Sequence, residues 1–129
     1  MTFLADTHAI VWHLTNEERL GKGARRAFRA ADQGRVLCYV PAIAFVEVAL
    51  LNERGRLRAG AAQVLEVLAG RAGYAFLALD AEQALVFASL PAVRDPMDRI
   101  ILAAARATSS RLLSADEALD GHGVERVWD

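Results

Sequence analysis

An α/β domain built on a mainly parallel sheet is the fold class that the sequence predicts, and three observations predict it. Apolar runs of strand length alternate along the chain with segments of helical period. Glycine and proline fall at the junctions between them. The whole is 129 residues long, enough for one hydrophobic core and too short for two. One domain spanning 1–129 is therefore expected.

Taken in order, Phe3-Leu4-Ala5 opens the chain as a strand, followed by a helix from about Thr7 to Thr15. A second helix, about Lys22 to Gln33, is stopped by Gly34, and Val36 to Val40 reads as the second strand. Pro41 suits the first turn of a third helix that runs to about Arg54 and ends at Gly55. A fourth helix is expected to follow at once, because Leu57, Ala61, Val64, Leu65 and Leu68 form one apolar stripe that Gly70 and Gly73 terminate. Tyr74 to Leu79 is the third strand. Asp80 with Gln83 three residues on is a capping-box-like start for a fifth helix that ends before Pro91. The sixth opens at Asp95-Pro96 and continues through Ile100, Ile101, Leu102 and Ala105. Arg111 to Ser114 is the fourth strand, Glu117 to Asp120 a short helical turn, and Val124 to Trp128 a last strand.

Composition excludes several classes. Hydrophobic residues make up 54 % of the chain, above the globular norm of roughly 45–50 % even before glycine is counted, which rules out disorder. The same excess predicts apolar surface covered by a partner, and a homodimer is the expectation. No run approaches the roughly 18 apolar residues of a membrane span, and Asp6 interrupts the start where a signal peptide needs an apolar stretch, so the chain is expected to stay in the cytosol. The lone Cys38 lies inside an apolar run and reads as a core thiol. A net charge of −1 argues against a surface that grips nucleic acid all over, though a local site is allowed. Fourteen of the fifteen basic residues are arginine, the side chain suited to bidentate phosphate contacts.

Four acids resist a purely structural explanation. Asp6 and Asp116 follow the first and fourth strands, at the carboxyl edge where open α/β sheets bind ligands. Each could equally be a helix N-cap, and position alone does not decide, since Asp80 also follows a strand. Glu47 is the only polar side chain between Ala42 and Leu51, on a helix that reads as buried nearly all round. A carboxylate there needs either an arginine partner or a metal ion. In Asp95-Pro96-Met97-Asp98-Arg99, Asp95 reads as an N-cap with proline at the first helical position, while Asp98 shares a helical stripe with Leu102 and Ala105 and leans inward. Carboxylates that converge repel one another, and a hard divalent cation such as Mg²⁺ or Mn²⁺ resolves the conflict with oxygen ligands alone. The chemistry that follows most naturally is metal-assisted phosphoryl hydrolysis.

At these residues the sequence resembles the PIN-domain ribonucleases, and among them the VapC-type toxins of bacterial toxin–antitoxin pairs. The matching stretches are LADTHAIVWHL at the start, FVEVALLNERGRL after the second strand, LPAVRDPMDRIILAAA, RLLSADEAL and the terminal VERVW. They cover nearly the whole chain in order. The resemblance implies a three-layer α/β/α fold with a sheet of order 3-2-1-4-5, an acidic site at Asp6, Glu47, Asp98 and Asp116 that binds Mg²⁺ or Mn²⁺, and an accessory acid at Asp95. Thr7 and Ser114 occupy the places of hydroxyl residues beside the first and last acids. Related toxins often carry Lys where this chain has Leu51 and Thr where it has Ser114. The implied activity is endonucleolytic cleavage of RNA, and the implied partner is a cognate antitoxin whose tail offers a basic side chain to the acids. The alternative is a PIN-like domain without catalysis that binds protein or RNA.

The remaining candidates have structural readings beside functional ones. Arg99 either contacts substrate phosphate or pairs with an exposed acid. His8 reads as a core residue or one that supports the acids, and His13 and His122 as surface residues. Trp12 and Trp128 read as packing residues. Val64, Leu65 and Leu68 with the third helix are the expected self-associating face.

Overall fold

The computed structural model describes residues 1–129. Five parallel strands, β1 (Thr2–Ala5), β2 (Leu37–Pro41), β3 (Tyr74–Leu77), β4 (Arg111–Leu113) and β5 (Arg126–Val127), form one sheet in the order β3-β2-β1-β4-β5. This is the order expected. Six helices cover it: α1 (Thr7–Thr15), α2 (Lys22–Asp32), α3 (Ala42–Glu53), α4 (Ala61–Ala69), α5 (Ala81–Ala88) and α6 (Pro96–Ala107). Two single turns of 3₁₀ helix lie at Glu17–Arg19 and Glu117–Leu119. No helix is long and apolar enough to cross a membrane.

The alternation of side chains along a strand produces the three layers. Phe3 and Ala5 of β1, Cys38 and Val40 of β2 and Leu113 of β4 face a core shared with Ile10, Phe28, Val48 and Leu68. Leu4 and Leu112 face the opposite way, onto Ile101, Leu102 and the buried Ala103-Ala104-Ala105 of α6. Cys38 is fully buried, and burial pushes its thiol up to about 12. Alanine at three successive positions lets α6 lie close against the sheet at the level of the β1–β4 pair, which fixes where its first turn emerges.

Four expectations are corrected. α4 begins at Ala61, leaving Leu57 outside it. Gly60 is its N-cap and donates its N–H to Gln63 Oε1 (2.9 Å), while the Asn52 side chain donates to the carbonyls of Leu57 and Arg58 and holds that segment in a turn. Pro41 ends β2 and precedes α3 instead of entering its first turn. Val64 and Leu68 are buried in the chain's own core, so only Leu65 of that stripe is exposed. Val46 on α3 and Leu65 and Val67 on α4 are exposed, and further exposed apolar side chains lie at Phe76 and Leu79 by β3 and Leu85 on α5.

His13 is the fourth. It is buried, stacks on Phe28 with ring centroids 4.3 Å apart, and places Nε2 3.1 Å from the Asp32 carboxylate. Asp32 also accepts from the Tyr74 hydroxyl at 2.6 Å and from Arg71 at 3.1 Å. These donors hold the Asp32 carboxyl below its usual range against the cost of burial. The expectation of a surface residue missed its partners, because they come from α2, β3 and the α4–β3 turn. Trp12 and Trp128 pack edge to face at 5.9 Å, as expected of packing residues.

Candidate active site

The site is assembled at the carboxyl edge of β1 and β4, the two neighbours at which the strand order reverses. Asp6 follows β1 directly, and its backbone N–H donates to Leu113 O at the end of β4 (3.1 Å), locking the two strand ends together. Its Oδ1 accepts the Ala9 N–H at 2.9 Å, so it caps α1. Asp116 caps the turn Glu117–Leu119 in the same way, with Oδ1 accepting from Ala118 N at 3.0 Å. Both carboxylates thus commit one oxygen to a cap and leave the other for the site. Capping and site membership are compatible, so the choice between them posed by the sequence dissolves.

Between the two lies Ser114, fully buried. Its hydroxyl accepts the Asp116 N–H at 3.1 Å, and it lowers the proton affinity of Asp6. Burial lifts the Asp6 carboxyl above its ordinary value, Glu47 adds to the rise, and Ser114, the Ala9 N–H and the nearby His8 oppose it. Thr7, also buried, donates its hydroxyl to Glu47 Oε1 at 2.6 Å, tying α1 to α3. The expectation for α3 itself needs correcting. It is not buried all round, for Val46 is about half exposed and only Ala44 and Val48 are fully covered. Glu47 is half-buried, and no arginine pairs with it.

Asp95 caps α6, its Oδ1 accepting from Met97 N at 2.9 Å and Asp98 N at 3.2 Å. Asp98, in the first turn of α6, is raised as well. Burial, then the charges of Asp95, Asp116, Glu47 and Asp6 in that order, push its carboxyl up to about 6. The charges of the other three acids named from the sequence and of Asp95 thus all act on Asp98, and the five come from four different elements. None of the five forms an ion pair with a lysine, arginine or histidine.

Arg99 is not part of this group. Its guanidinium lies over the Phe87 ring at 4.1 Å and its Nε donates to Phe87 O at 2.8 Å, so it neither pairs with an acid nor faces the cluster, and it ties α6 to the end of α5. His8 corrects its reading too. It is exposed and lines a cavity of about 320 Å³ together with Glu47, Arg54 and Arg56. The two arginines were not singled out from the sequence. Their signal was the Arg-Gly-Arg at the end of α3, with Gly55 at φ +70° turning the chain between them.

The donor set suits a hard divalent cation. It is all oxygen, and the high proton affinity of Asp98 shows that the cluster favours added positive charge. No three of these side chains stand as a set of ligands.

The PIN domain family model matches residues 3–123. The chain belongs to the PIN-domain family. No curated protein matches its sequence. Among solved structures, this PIN domain is similar to VapBC2 of Rickettsia felis bound to a DNA fragment from its promoter (13 % identity, all of both chains, TM-score 0.76). It is also similar to a toxin–antitoxin complex from Klebsiella pneumoniae (16 %, 92 % of this chain and 91 % of that one, 0.65). A third similar structure is Mycobacterium tuberculosis VapC20, a sarcin-ricin loop cleaving toxin (16 %, 98 % and 99 %, 0.65). At these identities the likeness lies in the fold.

Proposed function

We propose that this PIN domain is a divalent-metal-dependent endoribonuclease acting in the cytosol as the toxin of a toxin–antitoxin pair. The observation that carries the reading is the burial of Asp98 together with the charges of Asp95, Asp116, Glu47 and Asp6, which raise its carboxyl to about 6 with no cationic side chain paired to any of the five. Asp6, Glu47, Asp98 and Asp116 would hold Mg²⁺ or Mn²⁺. When bound, such an ion supplies the Lewis acidity and the low-pKa water that phosphodiester hydrolysis needs.

The chain's own residues supply order. The caps of α1 and of the Glu117 turn fix Asp6 and Asp116 by one oxygen each, and Ser114 holds the Asp116 backbone. Thr7 fixes the Glu47 carboxylate. Asp95 keeps the first turn of α6 in place, and with it Asp98. Partners whose own orientation is locked hold such a constellation within the small tolerance that catalysis requires.

That solved relatives of like fold are toxin–antitoxin complexes supports a cognate antitoxin as partner. A guanidinium from it would occupy the acidic cluster and exclude metal or substrate. The exposed Phe76, Leu79 and Leu85 support a homodimer, tested by light scattering at tens of micromolar, where a monomer would refute it.

The deciding experiment is cleavage of RNA by the purified chain with Mn²⁺ or Mg²⁺, with EDTA, and with Asp98→Asn. Cleavage that needs metal and is lost in the variant supports the reading. Cleavage that survives EDTA, or none with either metal, refutes it.

A further inference from the structure

Five carboxylates at one sheet edge repel a polyanion. Metal ions answer that repulsion at the bond being cut, but the phosphates on either side of it need cations of their own. The cavity of about 320 Å³ that opens from Glu47 has them. Beside Glu47 it is lined by Arg54, Arg56 and His8 and by the apolar Leu50, Leu51 and Met97.

The backbone beneath the two arginines is fixed. Arg54 N donates to Leu50 O (3.1 Å) and Arg56 N to Leu51 O (2.9 Å), closing the end of α3, and the Asn52 side chain holds the carbonyls of Leu57 and Arg58 just beyond. Basic residues at a helix C-terminus complement its dipole. The dipole does not account for both arginines lining one cavity with a site carboxylate while neither forms an ion pair with any acid or donates a side-chain hydrogen bond. His8 joins the two regions, since it lines this cavity and its charge acts on Asp6.

We infer that Arg54 and Arg56 bind the phosphate next to the scissile one on a single strand of RNA, and so position the strand across the acids. The inference rests on the ribonuclease reading above. The volume is at the small end of the range for ligand pockets, roughly 300–1,000 Å³, which suits one nucleotide unit and not a base pair. Leu50, Leu51 and Met97 suit a base, and the two guanidinium groups suit its phosphate. An acidic protein segment would match the arginines but would meet Glu47 and the cluster behind it, whereas an RNA strand brings to that cluster the phosphate that the bound metal requires. Arg54 and Arg56 are positioning residues, because they touch a part of the substrate that does not react.

The test is binding of a short fluorescein-labelled single-stranded RNA in EDTA, followed by fluorescence anisotropy over a salt series, and cleavage kinetics in Mn²⁺. Arg54→Ala/Arg56→Ala should weaken binding on the order of 10- to 100-fold. The slope of log affinity against log salt should become shallower by about 0.7 for each phosphate that is no longer neutralised. The loss in kcat/KM should lie mainly in KM, and the double Arg→Lys variant should recover much of the affinity. Arg26→Ala/Arg29→Ala, in a separate cavity beside Phe3 and Arg111, is the control and should bind as the parent does. An unchanged salt slope in the Arg54/Arg56 variant, an equal loss in the control, or competition by a polyglutamate peptide as strong as by unlabelled RNA overturns the inference. In each of those cases metal-dependent cleavage lost in Asp98→Asn keeps the ribonuclease reading intact. A parent chain that neither binds nor cleaves RNA refutes both.

Discussion

Asp6 and Asp80 occupy the same local motif with different outcomes. Each follows a parallel strand, each precedes a helix by one residue, and each caps that helix with Oδ1 accepting an N–H three residues on, at 2.9 Å in both. Around Asp6 lie Ser114, His8 and Glu47. Asp80 lies three residues beyond β3, the outermost strand, where its helix borders an apolar hollow lined by Leu79, Gln83 and Phe87, and it is not among the acids that act on Asp98. A strand–Asp–helix junction therefore builds a cap wherever it occurs. It contributes to a site only when the neighbouring strand delivers a second carboxylate to the same edge.

The sharpest way to break this comparison is to remove the charge while keeping the cap. Asn caps as well as Asp, so Asp6→Asn should melt close to the parent temperature yet lose cleavage on the order of a thousandfold, the scale of several kcal/mol of transition-state stabilisation. Asp98→Asn should lose a comparable amount. Full activity in Asp6→Asn would show that its place at the edge has no catalytic meaning, and a dead Asp95→Asn beside an active Asp98→Asn would exchange the roles of those two acids.

Metal is the next largest effect. Mn²⁺ at a hundred times its Kd should stabilise the parent by about 2.7 kcal/mol through mass action, measured as a rise in melting temperature over EDTA. Asp6→Asn should show little of this rise and Asp80→Asn all of it. No rise in the parent at millimolar metal would remove the site.

Proton linkage then separates the acidic cluster from the rest of the protein. Asp98 is raised from 3.8 to about 6, so its contribution to stability is fully present below about pH 3.8 and is lost as pH rises through about 6. Asp6 shifts in the same direction. Asp32, whose carboxyl is lowered, contributes in the opposite sense: its share is present above about pH 3.8 and is lost only on further acidification. The metal-free chain should accordingly lose melting temperature from about pH 4 to 6, and Asp98→Asn should flatten that slope. An equally steep slope in Asp98→Asn would mean that the crowding of charge does not strain the fold.

The smallest effect belongs to Asp80. Asp80→Ala should cost about 1 kcal/mol by denaturant melting, with cleavage unchanged. A loss of cleavage there would draw the β3 edge into the site and undo the contrast.

The sequence by itself determined the elements and most of their order. Apolar alternation marked β1 to β4, glycine and proline marked the ends, and Asp95-Pro96 and Asp80 marked helix starts, because these signals rest on local backbone geometry and capping. It also singled out Asp6, Glu47, Asp98 and Asp116, since carboxylates in apolar or strand-end settings are costly to place without a reason. What surrounds them was decided by the tertiary structure alone. The face of α3 that carries Glu47 looked buried, yet the packing leaves it open and supplies Thr7 from α1. His13 looked like a surface residue until α2, β3 and Arg71 closed over it. Arg99 was drawn onto Phe87, while Arg54 and Arg56, on either side of the turn at Gly55, line one cavity with Glu47. The physical reason is common to all of these: a side chain's own periodicity fixes which way it points, but its partners come from elements tens of residues away, and only the sheet order brings them within reach.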